Sequence, residues 1–149
     1  MKVKMKNAFY DEITGLSIVT IQTELGEFSA KAKLNKEEDK DIASRFHGCK
    51  IAEARAILKY LKQRRKNLKT KLNTLRTLNS NLIQLKNYNN DSIEARYIRK
   101  QCYIELKNLK HMDMTIENIE KLINNLIVNF RNEKSDFINK INKMKEQHE

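Results

Sequence analysis

The residues best placed to do chemistry are cations. Arg55, Lys59, Lys62, Arg64, Arg65, Lys66, Lys69, Lys71 and Arg76 follow one another with no acid between them. At about 100° per residue of helix, Arg55, Lys59, Lys62, Lys66 and Lys69 share one side, spaced to meet successive anionic groups. The chain has a formal net charge of +11, and its excess is concentrated. Residues 51–90 hold ten basic side chains and only Glu53, whereas 1–50 and 91–149 are each nearly balanced. Such a field attracts polyanions and steers their association. The bland alternative is a solvated face neutralised from a partner helix. Against it, residues 91–121 contain six acids and six bases, which leaves the excess standing. Nucleic acid and acidic protein surfaces both fit this chemistry. No helix-turn-helix, RNA-recognition or zinc-finger pattern accompanies the run.

Other combinations point away from catalysis. His47-Gly48-Cys49 juxtaposes a base and a thiol, but a nucleophile also needs an orienting group and a pocket. A loop histidine beside a buried cysteine is the plainer reading. His111 and His148 have no second histidine at metal-binding spacing, and no zinc pattern occurs. Glu37, Glu38, Asp39 and Asp41 suggest magnesium at first sight. Acids so placed more simply favour a helix N-terminus. No glycine-rich phosphate loop is present. The expectation is a non-enzymatic protein with no cofactor and no metal. Cys49 and Cys102 lack CxxC spacing and read as reduced thiols.

The elements that would carry these residues are legible from periodicity. Val3, Met5 and Phe9 share one parity, opposite Lys2, Lys4 and Lys6. Leu16–Thr23 is rich in β-branched residues, after a turn ending in Gly15. A second turn at Leu25-Gly26 leads to Phe28, Ala30, Ala32 and Leu34 alternating with polar residues. Together these predict a three-strand antiparallel β-meander with one covered face. Asn35-Lys36-Glu37-Glu38 has capping-box spacing, so a short helix is expected to open there and end near Gly48 in a left-handed conformation.

From Cys49 a heptad seam begins: Ile51, Ala54, Leu58, Leu61, Arg65, Leu68, Leu72, Leu75, Asn79 and Leu82. Asn87–Asp91 interrupts it, and Asp91-Ser92-Ile93-Glu94 offers a second capping box. A longer seam follows: Ala95, Ile98, Cys102, Glu105, Leu109, Met112, Ile116, Ile119, Ile123, Leu126, Phe130, Glu133, Phe137, Lys140 and Met144. Two such seams joined by a short turn predict an antiparallel coiled-coil hairpin. With the turn centred near Asn89, facing residues sum to about 178. Arg65 then meets Asp113 or its neighbour Glu117, and Asn79 lies near Arg99. Residues beyond Leu126 overhang the start of the first helix. Phe130, Phe137 and Ile141 therefore need cover, from the face bearing Phe28, Ala30 and Ala32 with Phe46, or from a second chain.

The expected fold class is α+β, mainly α, with a β-meander and short helix over 1–48 and the hairpin over 49–149, packed as one unit. Tyr60, Tyr88, Tyr97 and Tyr103 lie on or beside the helices. Tyr88 falls at the hairpin tip, either as a partner anchor or as a turn residue packing on its own helix ends. No run approaches the roughly 18 apolar residues of a membrane span, and MKVKMKNAFYDE has no signal-peptide core. A soluble cytoplasmic protein, monomer or homodimer, is expected.

The segments Phe9-Tyr10-Asp11-Glu12-Ile13-Thr14-Gly15-Leu16-Ser17, Gly26-Glu27-Phe28 and Ile51-Ala52-Glu53-Ala54-Arg55-Ala56 resemble small proteins encoded by phages and prophages of low-GC Gram-positive bacteria. The resemblance brings no active site with it. It implies an accessory role inside a bacterial host cell, such as occluding a defence nuclease of the CRISPR type or competing for its nucleic-acid contacts. The expected binding residues are Arg55, Lys59, Lys62, Arg64, Lys66, Lys69, Lys71, Arg76 and Tyr88. Direct, non-specific DNA or RNA binding and a structural role as a coiled-coil oligomer or virion assembly component are the two alternatives.

Overall fold

The computed structural model describes residues 3–33, 45–85 and 92–147. Three strands, β1 (Lys4–Asp11), β2 (Leu16–Thr23) and β3 (Gly26–Lys33), precede two helices, α1 (Arg45–Ile83) and α2 (Ile93–Gln147). The fold is α+β and mainly α: an antiparallel β1-β2-β3 meander followed by a long helical hairpin. The chain divides into two compact units. One comprises residues 1–60 with 118–149, and the other 61–117.

In the first unit, both strand turns rest on glycine and short polar side chains. Gly15 has φ 68° and donates its N–H to Asp11 O at 2.8 Å, while Asp11 Oδ1 accepts from Ile13 N at 2.9 Å. That local carboxylate bond is the first cause holding the Asp11 carboxyl below its ordinary range. At the next turn, Thr23 Oγ1 accepts from Leu25 N at 3.1 Å and donates to Gly26 O at 2.9 Å.

The inner sheet face consists of Ser17, Val19, Ile21 and Thr23 with Ala30 and Ala32, all buried. The expected β3 face is therefore the covered one, as far as Ala32; Leu34 lies outside the described residues. β1 departs from simple alternation. Met5 pairs with Ile21 and Asn7 with Thr20, so Lys6 is an extra residue in a β-bulge. One inserted residue reverses the parity beyond it. Ala8, opposite Val19, takes the inner face, and Phe9, opposite Ile18, takes the outer one. Phe9 is 56% exposed. Val3, Met5 and Phe9 do not form one face.

Gly48 does not end a helix. It lies inside α1 without a positive φ, and residues 35–44, where the short helix was expected to open, are outside the described residues. A methyl on Gly48 would overlap Ser17 Oγ and sit 3.2 Å from Ser17 Cβ. Gly48, Ala52, Ala56 and Tyr60 follow at steps of four, which form a ridge on one helix face. Ala52, Ala56 and Tyr60 are fully buried, and the Tyr60 ring meets Phe28 edge-on at 5.7 Å. The small residues allow close approach of helix to sheet, and Tyr60 closes the far end by donating to Glu24.

The sheet thus packs on the start of α1. Of the residues expected to overhang, Phe130 instead faces α1, which begins at Arg45, and is half-buried against the His47 ring at 4.8 Å. His47 Nε2 is 3.0 Å from Glu133 Oε2. Ile141 and Met144 remain exposed, and the Phe137 side chain lies outside what is described.

In the second unit, α1 and α2 pack along the expected seam. Leu61, Arg65, Leu68, Leu72, Leu75, Asn79 and Leu82 are buried or half-buried, and from 61 to 83 the other positions apart from Arg64 are exposed. Ala95, Ile98, Cys102, Glu105, Leu109, Met112 and Ile116 line the other side, all buried or half-buried. Arg65 pairs with Asp113, which fixes the antiparallel register at the expected place. Ser92, one residue later than the expected capping box, caps α2: its Oγ accepts from Ala95 N at 3.2 Å. No helix among the described residues is long and apolar enough to cross a membrane.

Candidate polyanion-binding surface

The cationic run is carried by α1, whose apolar seam determines which cations reach solvent. In the first unit, Arg55 Nη1 donates to Lys31 O at 2.9 Å, and Lys59 Nζ donates to Ser29 O at 2.7 Å. Both acceptors lie on β3, an edge strand whose carbonyls would otherwise be open to another chain. Arg55 and Lys59 thus help fasten the sheet to the helix. This role is not legible in the sequence, because an edge-capping lysine and a docking lysine are the same residue type.

The remaining cations sit in the second unit. Lys62, Lys69 and Arg76 recur every seven residues, and Lys66 lies between the first two at steps of four and three. Their side chains are exposed. Neighbours at such steps have Cβ atoms about 5–6 Å apart. Among the described residues, Lys66, Lys69 and Arg76 carry no ion pair. Arg64 and Lys71 share the other flank of the helix, where Arg64 is half-buried.

Lys71 belongs to the seam's own chemistry. Its Nζ donates to Glu105 Oε1 at 2.8 Å, and Glu105 is only 5% exposed. The hydrogen bond to this carboxylate raises the Lys71 ammonium above the ordinary lysine value. The second carboxylate oxygen, Glu105 Oε2, is buried without a partner among the described residues. Arg65 and Lys71 thus answer Asp113 and Glu105, and the stripe from Lys62 to Arg76 is the part of the expected surface that faces outward. Tyr88 lies outside the described residues.

The other candidate chemistry separates in space. His47 and Cys49 stand two apart on one helix, a spacing at which side chains do not face each other. His47 instead engages Phe130 and Glu133. Among the described residues, no group of three or more His, Cys, Asp or Glu side chains is arranged to hold a metal ion; Glu37, Glu38, Asp39, Asp41 and His148 lie outside them.

No protein family, curated protein or solved structure matches the chain.

Proposed function

We propose that this is a non-enzymatic binding protein that docks the Lys62–Lys66–Lys69–Arg76 stripe of α1 against the anionic surface of a nucleoprotein complex. The observation that carries the reading is the division of labour among the α1 cations. Arg65 and Lys71 are neutralised across the seam, while Lys66, Lys69 and Arg76 are exposed on one flank. A helix presenting cations at fixed intervals can compete with protein for phosphate contacts. The resemblance to phage-encoded proteins makes a bacterial defence nuclease the partner class to test first.

The test is affinity capture from a bacterial lysate, before and after nuclease treatment, with the native chain and with Lys62→Gln/Lys66→Gln/Lys69→Gln. The expected result is a captured nuclease that the triple variant fails to retain at moderate salt. Equal capture by the triple variant rejects this surface. Capture that disappears on nuclease treatment, with no protein left bound, favours direct nucleic-acid binding instead.

A further inference from the structure

The second unit carries another basic feature, on α2, outside the run that concentrates the net charge. Arg96, Lys100, Tyr103, Lys107 and Lys110 follow at steps of four, three, four and three, and all five are exposed. Opposite them on the same helix, Ala95, Ile98, Cys102, Glu105, Leu109 and Met112 form the seam against α1. The five side chains therefore line the ridge that points away from the helix partner. Between Arg96 and Lys110 the only acid is Glu105, which is buried and bonded to Lys71. Its charge does not reach the ridge. The window 91–121 balances when counted by residue, but the stretch from Arg96 to Lys110 holds five bases and one buried acid, so it presents only positive charge to solvent.

Tyr103 gives this charge a chemical direction. It is 67% exposed and sits at the centre of the line, two cations on either side. An aromatic ring held open between cations offers a stacking face to a planar group whose linker is anionic. Unpaired nucleotides fit that description. Their bases stack on tyrosine, and their phosphates follow the flanking lysines and arginine. A duplex fits less well, because its bases are already stacked, and because its phosphates run in two rows separated by a groove about 12 Å wide. The ridge is a single row about 21 Å long, at 1.5 Å per residue.

We infer that the outer ridge of α2 binds single-stranded nucleic acid, with Arg96, Lys100, Lys107 and Lys110 on the phosphates and Tyr103 stacked on a base. This goes beyond the docking of α1 and uses none of its residues. Contacts of this kind are not sequence-specific, because every base has a stacking face.

The experiment is fluorescence anisotropy of a labelled oligothymidylate, and of a duplex of equal length, titrated at several salt concentrations with the full chain carrying Lys62→Gln/Lys66→Gln/Lys69→Gln, so that the α1 stripe contributes little. Four phosphate contacts on a single strand give a slope of log K against log salt of about −2.8. Lys100→Gln/Lys107→Gln is expected to halve that slope. Tyr103→Ala should weaken binding about tenfold, while Tyr103→Phe retains the ring and the affinity. Lys140→Gln/Lys143→Gln removes the same charge elsewhere on α2 and should leave binding nearly unchanged. Duplex binding as tight as single-strand binding overturns the inference. So does an unaffected Tyr103→Ala variant, or an equal loss in the Lys140/Lys143 control.

Discussion

Arg65 and Asp113, forty-eight residues apart in the chain, meet as an ion pair across the α1–α2 seam. A cation at a position that heptad spacing reserves for apolar side chains needs a partner at one place on the opposing helix. The pair therefore specifies register, a recognised use of polar residues in coiled coils. Both side chains keep substantial solvent contact, with 36% and 48% of their areas exposed, so the direct energy is small. A double-mutant cycle of Arg65→Asp and Asp113→Arg is expected to give a coupling of about 0.2–1 kcal/mol in urea unfolding. The double reversal should be more stable than the sum of the two single effects implies. Strict additivity would mean that the two charges do not interact.

Gly48 and Ser17 set a second constraint, in the other unit. Alanine in place of glycine inside a helix ordinarily stabilises it by about 1 kcal/mol. Here the new methyl meets Ser17, so Gly48→Ala is expected to destabilise by about 1–3 kcal/mol. Ser17 Oγ is buried without a partner among the described residues, and Ser17→Ala alone should be neutral or stabilising. It should also recover part of the loss in the double variant. Chemical denaturation of the four proteins checks this, and a stabilised Gly48→Ala single variant would show that the helix does not approach the sheet so closely.

Glu105 and Lys71 respond to pH with a definite sign. Because pairing raises the Lys71 value in the folded chain, its contribution is complete below the ordinary lysine range. That contribution is lost as pH rises through the elevated folded value. Alkaline unfolding curves of the native chain and Lys71→Met should therefore converge as pH passes above the ordinary lysine range. Replacing the buried acid removes the desolvated carboxylate and leaves the exposed Lys71 ammonium to solvent, so Glu105→Leu is expected to be neutral or stabilising. Loss of stability in Glu105→Leu would mean that the carboxylate contributes more than apolar packing at that position.

Periodicity made much of this structure legible. The α1 seam from Leu61 to Leu82 matches its heptad reading position by position, because burial on one helix face repeats with the sequence. The Arg65 partner followed from the same arithmetic. The bulge at Lys6 was not legible, since one unpaired residue in a strand leaves no mark in composition yet turns Phe9 to the opposite face. Gly48 was legible as a special residue but not for the right reason: its partner, Ser17, is distant in sequence. The basic surface was legible as a run but not as a surface. Only tertiary contacts separate Arg55 and Lys59, which hold the β3 edge, and Lys71, which answers Glu105, from Lys66, Lys69 and Arg76. The α2 ridge stayed hidden for a related reason, because Asp91, Glu94, Asp113, Glu117 and Glu120 on either side balance the window in which its cations were counted.

The exposed α1 stripe is tested most directly by salt elution from immobilised heparin, a generic polyanion. Lys62→Gln/Lys66→Gln/Lys69→Gln and Lys140→Gln/Lys143→Gln/Lys145→Gln change the net charge equally. Counterion release ties retention to the number of anion contacts actually made. The α1 variant is expected to elute at clearly lower salt than the native chain, with the control eluting close to it. Equal shifts in the two variants would contradict the account, showing that overall charge rather than this face captures the polyanion.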